Sequence, residues 1–200
     1  KENEIDVIVN CAAYTAVDKA EDNQELCAKL NSEAVGYLAK AAEENQAEFI
    51  QISTDYVFDG TNYVPYRETE PTCPNSVYGV TKLAGEKKAL EYCSKAMIIR
   101  TAWLYSVFGN NFVKTMIRLG KERESLGVIF DQIGTPTYAR DLASAVFAAI
   151  RKGIIPGIYH FSNEGVCSWY DFTKSIHRIA GIGNCKVSPL HADEYPAKAP

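Results

Sequence analysis

The run from Ile5 to Ala13 is the feature that most restricts what this chain can fold into. Apolar side chains occupy most of its positions without a regular alternation, so they would cover both faces of a strand. Strands of that kind lie inside parallel sheets that are covered by helices. Neighbouring strands are therefore expected on both sides of this one.

Strand-like and helix-like segments alternate along the rest of the chain. Helices are predicted over residues 17–45, 78–93, 111–123, 139–152 and 168–180, with Ser168 as an N-cap, and further strands over 48–53, 96–100, 127–130, 157–161 and 186–190. This alternation predicts an α/β fold with a doubly wound parallel sheet, which is Rossmann-like. Ligands of such folds bind at the carboxyl ends of the strands.

Composition narrows the kind of partner. Two hundred residues with 46% apolar content can bury a core, and no stretch is long and apolar enough to cross a membrane. A net charge of −4 with mixed signs argues against a nucleic-acid surface, which needs a basic stripe. A small molecule is the expected partner.

The six cysteines are spread along the chain without CxxC pairs or spacing typical of metal ligands, so no metal site is predicted. Free thiols of this kind indicate a reducing compartment, and a cytoplasmic protein is expected. The three histidines offer no matching base for a catalytic cysteine.

The chemistry is indicated by two segments. Ser53 and Thr54 end an apolar run, and Tyr78 and Lys82 stand four residues apart at the head of a predicted helix. A Tyr and a Lys at that spacing share one helix face, and a strand-end hydroxyl can meet them. Together they form a proton-delivery set for a carbonyl. Thr54 capping its own turn is the alternative for that residue.

A second Tyr–Lys pair of the same spacing, Tyr170 and Lys174, has no Ser- or Thr-ended strand a similar distance upstream. It is interpreted as an ordinary amphipathic helix face.

The small residues Ala12 and Ala13, after the first strand, suit either tight packing or close approach of a cofactor to the backbone.

These segments resemble the extended short-chain dehydrogenase/reductases, and within them the dTDP-4-dehydrorhamnose reductase family. The resemblance covers essentially the whole chain and is carried by residues 9–21, 53–60, 78–86, 100–103, 109–116 and 131–137. It implies reduction of the C4 ketone of dTDP-4-dehydro-L-rhamnose by hydride from NADPH or NADH. It also implies a nucleotide-sugar substrate and allows a homodimer.

The resemblance implies a role for individual residues. Tyr78 is the expected proton donor, Lys82 the cation that eases its ionisation and binds the nicotinamide ribose, and Thr54 the partner of the ketone oxygen. Cofactor contacts are expected from Ala12, Ala13, Tyr14, Thr15, Ile52, Tyr78 and Lys82, and substrate contacts from Thr54, Asp55, Trp103 and Asn111. The alternatives are a buried core position for Trp103 and loop capping for Asn111.

The chain departs from the family at both ends. The family's Gly-rich turn for the cofactor pyrophosphate does not occur in these 200 residues, and the family continues past Pro200. We therefore expect a single truncated Rossmann-like domain over 1–200, with substrate-binding elements in about 103–137 and 157–200. The isolated 200 residues are expected to bind the cofactor weakly and to self-associate along the first strand.

Two other functions share parts of this pattern. Nucleotide-sugar epimerases and dehydratases use the same Thr, Tyr and Lys, but a dehydratase adds a second acidic residue where this chain has Tyr56. A non-catalytic regulatory subunit of methionine adenosyltransferase type shares the segments around Asp55 and Tyr78. The stretch 103–137 favours the reductase.

Overall fold

A computed structural model describes residues 4–199. Its strands are β1 (Val7–Asn10), β2 (Glu48–Thr54), β3 (Ala96–Thr101), β4 (Leu104–Tyr105), β5 (Ser125–Ile129), β6 (Ile133–Gly134), β7 (Thr137–Tyr138), β8 (Gly157–His160), β9 (Cys167–Ser168) and β10 (Lys186–Leu190). Its α-helices are α1 (Val17–Asp22), α2 (Gln24–Ala28), α3 (Ala34–Glu44), α4 (Val77–Tyr92), α5 (Phe112–Glu122), α6 (Ala139–Lys152) and α7 (Trp169–Ile179).

The described residues pack into two compact units, whereas the sequence predicts one domain. The first unit comprises the residues up to Thr101, Val146–Phe161 and the residues from Ala197 onward. The second comprises Ala102–Ala145 and Ser162–Pro196. The predicted substrate-binding stretch 103–137 lies wholly within the second unit.

A parallel four-stranded sheet of order β1-β2-β3-β8 organises the first unit. Helices α3 and α4 pack against it. The buried side chains of α3 are small and apolar, whereas those of α4 also include Lys82 and Glu86. The core between them holds Val35, Ala39, Phe49, Ala89 and Ile98, all at most 1% exposed. The predicted parallel α/β sheet is confirmed.

The second unit is built around the parallel pair β5 and β10, which the helices α5 and α7 cover. Met116, Leu126, Val128, Ile176 and Val187 form its core. The predicted strand 127–130 therefore exists as Ser125–Ile129, but it pairs with β10 in a separate small sheet. Ser168 caps α7 as predicted, in a capping box with Asp171.

The long helix predicted over 17–45 is interrupted twice. The chain leaves the helical conformation at Asn23, and residues Lys29–Glu33 form a π-helical turn in which Ala34 N donates to Lys29 O. π turns inside α-helices are rare and often lie at functional sites.

Among the described residues no helix is long and apolar enough to cross a membrane.

Candidate active site

The start of α4 is held tightly against the turn that follows β2. Ser76 caps the helix by accepting a hydrogen bond from Gly79 N. A Cβ on Gly79 would lie 2.2 Å from the carbonyl oxygen of Tyr56, so only glycine allows this approach. The approach places Tyr78, the second residue of the helix, beside the end of β2.

Tyr78 and Thr54 are brought together, as the sequence predicts. Tyr78 is 9% exposed and its ring meets that of Tyr56 edge to face at 5.4 Å between centroids. Burial raises the pKa of Tyr78 to about 12, and a hydrogen bond with Thr54 opposes the rise. Thr54 also caps its own turn by accepting from Tyr56 N at 3.2 Å, which was the alternative for this residue, and its contact with the ketone oxygen stays a prediction.

Lys82 lies one helical turn after Tyr78 and is 5% exposed. Its Nζ donates to the carbonyl oxygen of Ile52 at 2.7 Å. Burial lowers the pKa of Lys82 to about 8, while Glu86 acts in the opposite direction. That Lys82 eases the ionisation of the Tyr78 phenol stays a prediction.

Asp55 adjoins the same set. Its carboxylate accepts the Thr54 hydroxyl at 3.0 Å, and burial raises the pKa of Asp55. Burial also raises the pKa of Tyr56, with a further contribution from the Asp55 charge. The end of β2 thus places a hydroxyl and a carboxylate side by side next to the Tyr78 phenol.

The segment after β1 is fixed by side-chain hydrogen bonds to its backbone. Asn10 accepts from Ala12 N at 3.1 Å, and Ala12 and Thr15 are exposed. Tyr14 is clamped by Asn31, whose amide accepts from Tyr14 N at 2.8 Å and donates to Tyr14 O at 3.1 Å. Four of the predicted cofactor contacts, Ala12 to Thr15, therefore form one ordered segment whose first and last residues are exposed.

Asn31 was not predicted from the sequence, because a polar residue inside a helical stretch is usually exposed. It lies in the π-helical turn, is 1% exposed, and also donates to the hydroxyl of Thr81 on α4 at 3.2 Å. Gly85 allows the two helices to approach, since a Cβ there would lie 2.1 Å from Asn31 O. The π turn therefore joins the segment after β1 to the helix that carries Tyr78 and Lys82.

A buried ion pair beneath the site is the second feature that sequence reasoning missed. Glu86, 1% exposed, accepts from Arg100 Nη2 at 2.7 Å and from its Nε at 3.0 and 3.2 Å. Ser53 Oγ donates to the same carboxylate at 2.5 Å. The one sequence signal for this ion pair is the four-residue spacing between Lys82 and Glu86, which places the two side chains on the same helix face.

Two predicted substrate residues lie in the second unit. Trp103 has φ of 47°, a conformation rare for a bulky residue, and its ring stacks on Trp169 with 3.4 Å between centroids. Asn111 caps α5, accepting from Lys114 N at 3.2 Å and donating to Ser106 O at 2.7 Å. Asn111 thus has the capping role that was its alternative, whereas Trp103 is half-buried and stacked rather than buried in a core, and contact of both residues with substrate stays a prediction.

The second Tyr–Lys pair lies on α7 in the second unit. Tyr170 packs against the core of that unit and Lys174 is exposed. The end of β9 that precedes Tyr170 supplies Ser168, which is engaged in capping the helix. The pair is an amphipathic helix face, as predicted.

Comparison with known proteins agrees with this geometry. The family model described as RmlD substrate binding domain matches residues 1–200. The dTDP-4-dehydrorhamnose reductase of Escherichia coli K12 is 47% identical over 203 aligned residues, which are 97% of this chain and 68% of that protein. The chain therefore spans about two thirds of the length of this relative.

Solved structures give the same result. A dTDP-4-dehydrorhamnose reductase from Clostridium acetobutylicum matches 100% of this chain and 70% of its own, with a TM-score of 0.96 and 47% identity. The reductase of Bacillus anthracis, solved in complex with NADP, covers the same shares with a TM-score of 0.95 and 43% identity. The chain belongs to the RmlD substrate binding domain family.

Proposed function

We propose that this chain carries the catalytic residues of an NAD(P)H-dependent reductase that converts dTDP-4-dehydro-L-rhamnose to dTDP-L-rhamnose. Relatives from several bacteria bear the name dTDP-4-dehydrorhamnose reductase. The observation that supports the proposal most directly is the meeting of Thr54 with Tyr78, one helical turn from Lys82.

The residues present fit a nicotinamide cofactor. Ala12 and Thr15, which follow β1, are exposed, and Asn31 holds the intervening Tyr14 in place. Cys11, which directly follows β1, is among the groups that raise the pKa of Lys82, so Lys82 lies near this segment. When bound, the cofactor supplies the hydride for the ketone carbon. Ala12 to Thr15 would hold it through backbone contacts, and Lys82 would bind its ribose.

The protein's own residues handle the proton. With a pKa of about 12, the Tyr78 phenol is fully protonated at neutral pH, which suits a donor to the ketone oxygen. Thr54 lies close enough to the phenol to lower the pKa of Tyr78 against the effect of burial. With a pKa of about 8, Lys82 is mostly charged at pH 7, so a positive charge is available near the phenolate that forms. The burial of both groups strengthens that interaction.

A cytoplasmic location is part of the proposal. All six cysteines are free in the structure, three of them buried as small apolar side chains. Free thiols fit a reducing compartment.

The test is reduction of dTDP-4-dehydro-L-rhamnose by the purified full-length protein, followed by loss of NADPH absorbance and by chromatography of the product. The substrate is made from dTDP-glucose by the two enzymes that precede this step. We expect dTDP-rhamnose to form and NADPH to be consumed in equal amounts. A folded protein that binds NADPH but forms no product would contradict the proposal and favour the regulatory subunit or the epimerase.

A further inference from the structure

Three consecutive residues of β2 hold three residues of α4 that stand four apart. Thr54 meets Tyr78, the carbonyl of Ile52 accepts from Lys82, and the hydroxyl of Ser53 donates to Glu86. The four-residue spacing keeps Tyr78, Lys82 and Glu86 on one helix face. Two of the three helix residues belong to the proposed chemistry, and the third, Glu86, has no role in it so far.

Stability alone does not explain the buried position of Glu86. Ion pairs buried as completely as Glu86 and Arg100, which are 1% and 4% exposed, are often no better for folding than apolar side chains of the same size. Arg100 Nη1 is buried and has no hydrogen-bond partner among the described residues. Packing alone therefore gives little reason for a carboxylate at this place, directly below the Lys82 turn.

We propose that Glu86 is a positioning residue for the reaction, which holds the Lys82 ammonium in its charged form from beneath the site. This inference rests on the proposed function. Ser53 anchors the carboxylate to β2, and the adjacent Ile52 carbonyl anchors the ammonium. The two ionised groups are thereby fixed to neighbouring residues of one strand. Arg100 holds the carboxylate in place through Nε and Nη2.

Groups from several elements surround Lys82 and Glu86. Lys82 is surrounded by Glu86 on its own helix, by Cys11 after β1 and by Cys27 on α2, and all three raise the pKa of Lys82 against the effect of burial. Glu86 has the largest influence of the three. Glu86 itself faces Arg100 on β3 and Ser53 on β2. Loss of the Glu86 charge would therefore lower the pKa of Lys82 further.

Glu86→Gln keeps the shape and removes the charge. In the full-length enzyme, the alkaline limb of the kcat/KM profile with NADPH and dTDP-4-dehydro-L-rhamnose should move to lower pH by roughly half a unit or more, because Lys82 loses its proton earlier. Half a unit is about a threefold change in the ratio of charged to neutral Lys82. Glu122→Gln removes an equal charge from an exposed helical pair with Arg118 and should leave the profile unchanged.

Because Glu86→Gln leaves Arg100 buried without its partner, that variant can fail to fold. The double variant Glu86→Gln with Arg100→Met removes both charges and should restore folding. If Glu86 served only packing, the double variant would also restore the wild-type pH profile. We expect it to fold and to keep the shifted limb, and a wild-type limb in a folded double variant would overturn the proposal.

A second readout separates this inference from the proposed function. The Lys82 side chain can be titrated directly by heteronuclear NMR, with Lys82→Arg as the assignment control. We expect the titration of Lys82 to move to lower pH in the double variant whether or not the wild type reduces this substrate. An unchanged Lys82 titration would reject the role of Glu86, whereas an absent reductase activity would reject only the proposed function.

Discussion

The carbonyl oxygen of Tyr56 occupies the space into which a side chain on Gly79 would have to project. A Cβ at that position would lie 2.2 Å from the oxygen, a distance that real Cβ atoms essentially never show. The contact sets the distance between the turn that follows Thr54 and the helix that carries Tyr78. Proton delivery by this pair therefore depends on a glycine that has no chemical group of its own.

Gly79→Ala should separate the turn from the helix. We expect a loss of about 1–3 kcal/mol in the free energy of unfolding, the usual cost of overpacking, together with a fall in kcat. Gly183→Ala is the matched control, since a Cβ there would meet no atom within 4 Å. Urea unfolding and steady-state kinetics on both variants test this, and equal stabilities would contradict the steric argument.

Tyr78→Phe removes the proposed proton donor without removing the ring. The full-length enzyme should lose roughly two to four orders of magnitude in kcat, the usual contribution of general acid catalysis, and keep its affinity for NADPH. Tyr170→Phe, in the second Tyr–Lys pair, should change kcat little. Comparable losses in the two variants would show that Tyr78 is not the donor.

Lys82→Met should stabilise the protein at neutral pH. Burial holds the pKa of Lys82 near 8 in the folded chain, against an ordinary value of 10.5. Below about pH 8 the folded state therefore carries a buried ammonium, and this charged group has a lower free energy in the unfolded chain, where water solvates it. The free-energy advantage of the variant, up to about 3 kcal/mol below pH 8, should decline as pH rises and vanish above about 10.5. Urea unfolding from pH 7 to 11 measures this advantage, and a difference that stays constant with pH would contradict the expected decline.

Asn31→Ala should loosen the segment after β1. The change leaves both backbone groups of Tyr14 without their amide partner, and we expect a loss of about 2 kcal/mol in stability and a several-fold increase in KM for NADPH. Asn45→Ala, whose side chain donates to Ala41 O at an exposed helix end, is the control. A normal KM for NADPH in a folded Asn31→Ala variant would show that the clamp on Tyr14 has no part in cofactor binding.

The sequence predicts the bounds of an element well when its apolar periodicity extends over many residues. The helix carrying Tyr78 was predicted within one residue of its observed start at Val77, and the helix Ala139–Lys152 was predicted at its observed bounds. The two-residue strands such as Ile133–Gly134 were not predicted, because two residues are too few to show an alternation. Neither could the separate pairing of Ser125–Ile129 be read from a local pattern.

The residues of the proposed site also fall into those that the sequence predicts and those that it does not. Thr54, Tyr78 and Lys82 could be predicted, since strand ends and helix faces follow from spacing. Asn31 and Glu86 could not, because a polar residue in a helical stretch is exposed in most proteins and only tertiary contacts bury these two. The direction of the Tyr78 pKa shift also depends on burial, which no local pattern reports.

The π turn at Lys29–Glu33 keeps the buried residues before and after it on one face of the helical region. Cys27, Asn31, Val35 and Ala39 are buried at a strict spacing of four, although four residues of an α-helix rotate about 40° beyond a full turn. The wider π turn absorbs part of that excess, so the row stays on one face. A π turn holds one residue more than an α turn, so removal of one residue from it can return the segment to an α-helix in which Cys27 still faces Thr81. Removal of one residue from the α-helical part, Ala34–Glu44, would instead rotate the preceding residues by about 100° relative to the rest of the helix. Homologous chains that keep the clamp on the segment after β1 should therefore tolerate a single-residue deletion in the π turn better than one in the helix that follows it.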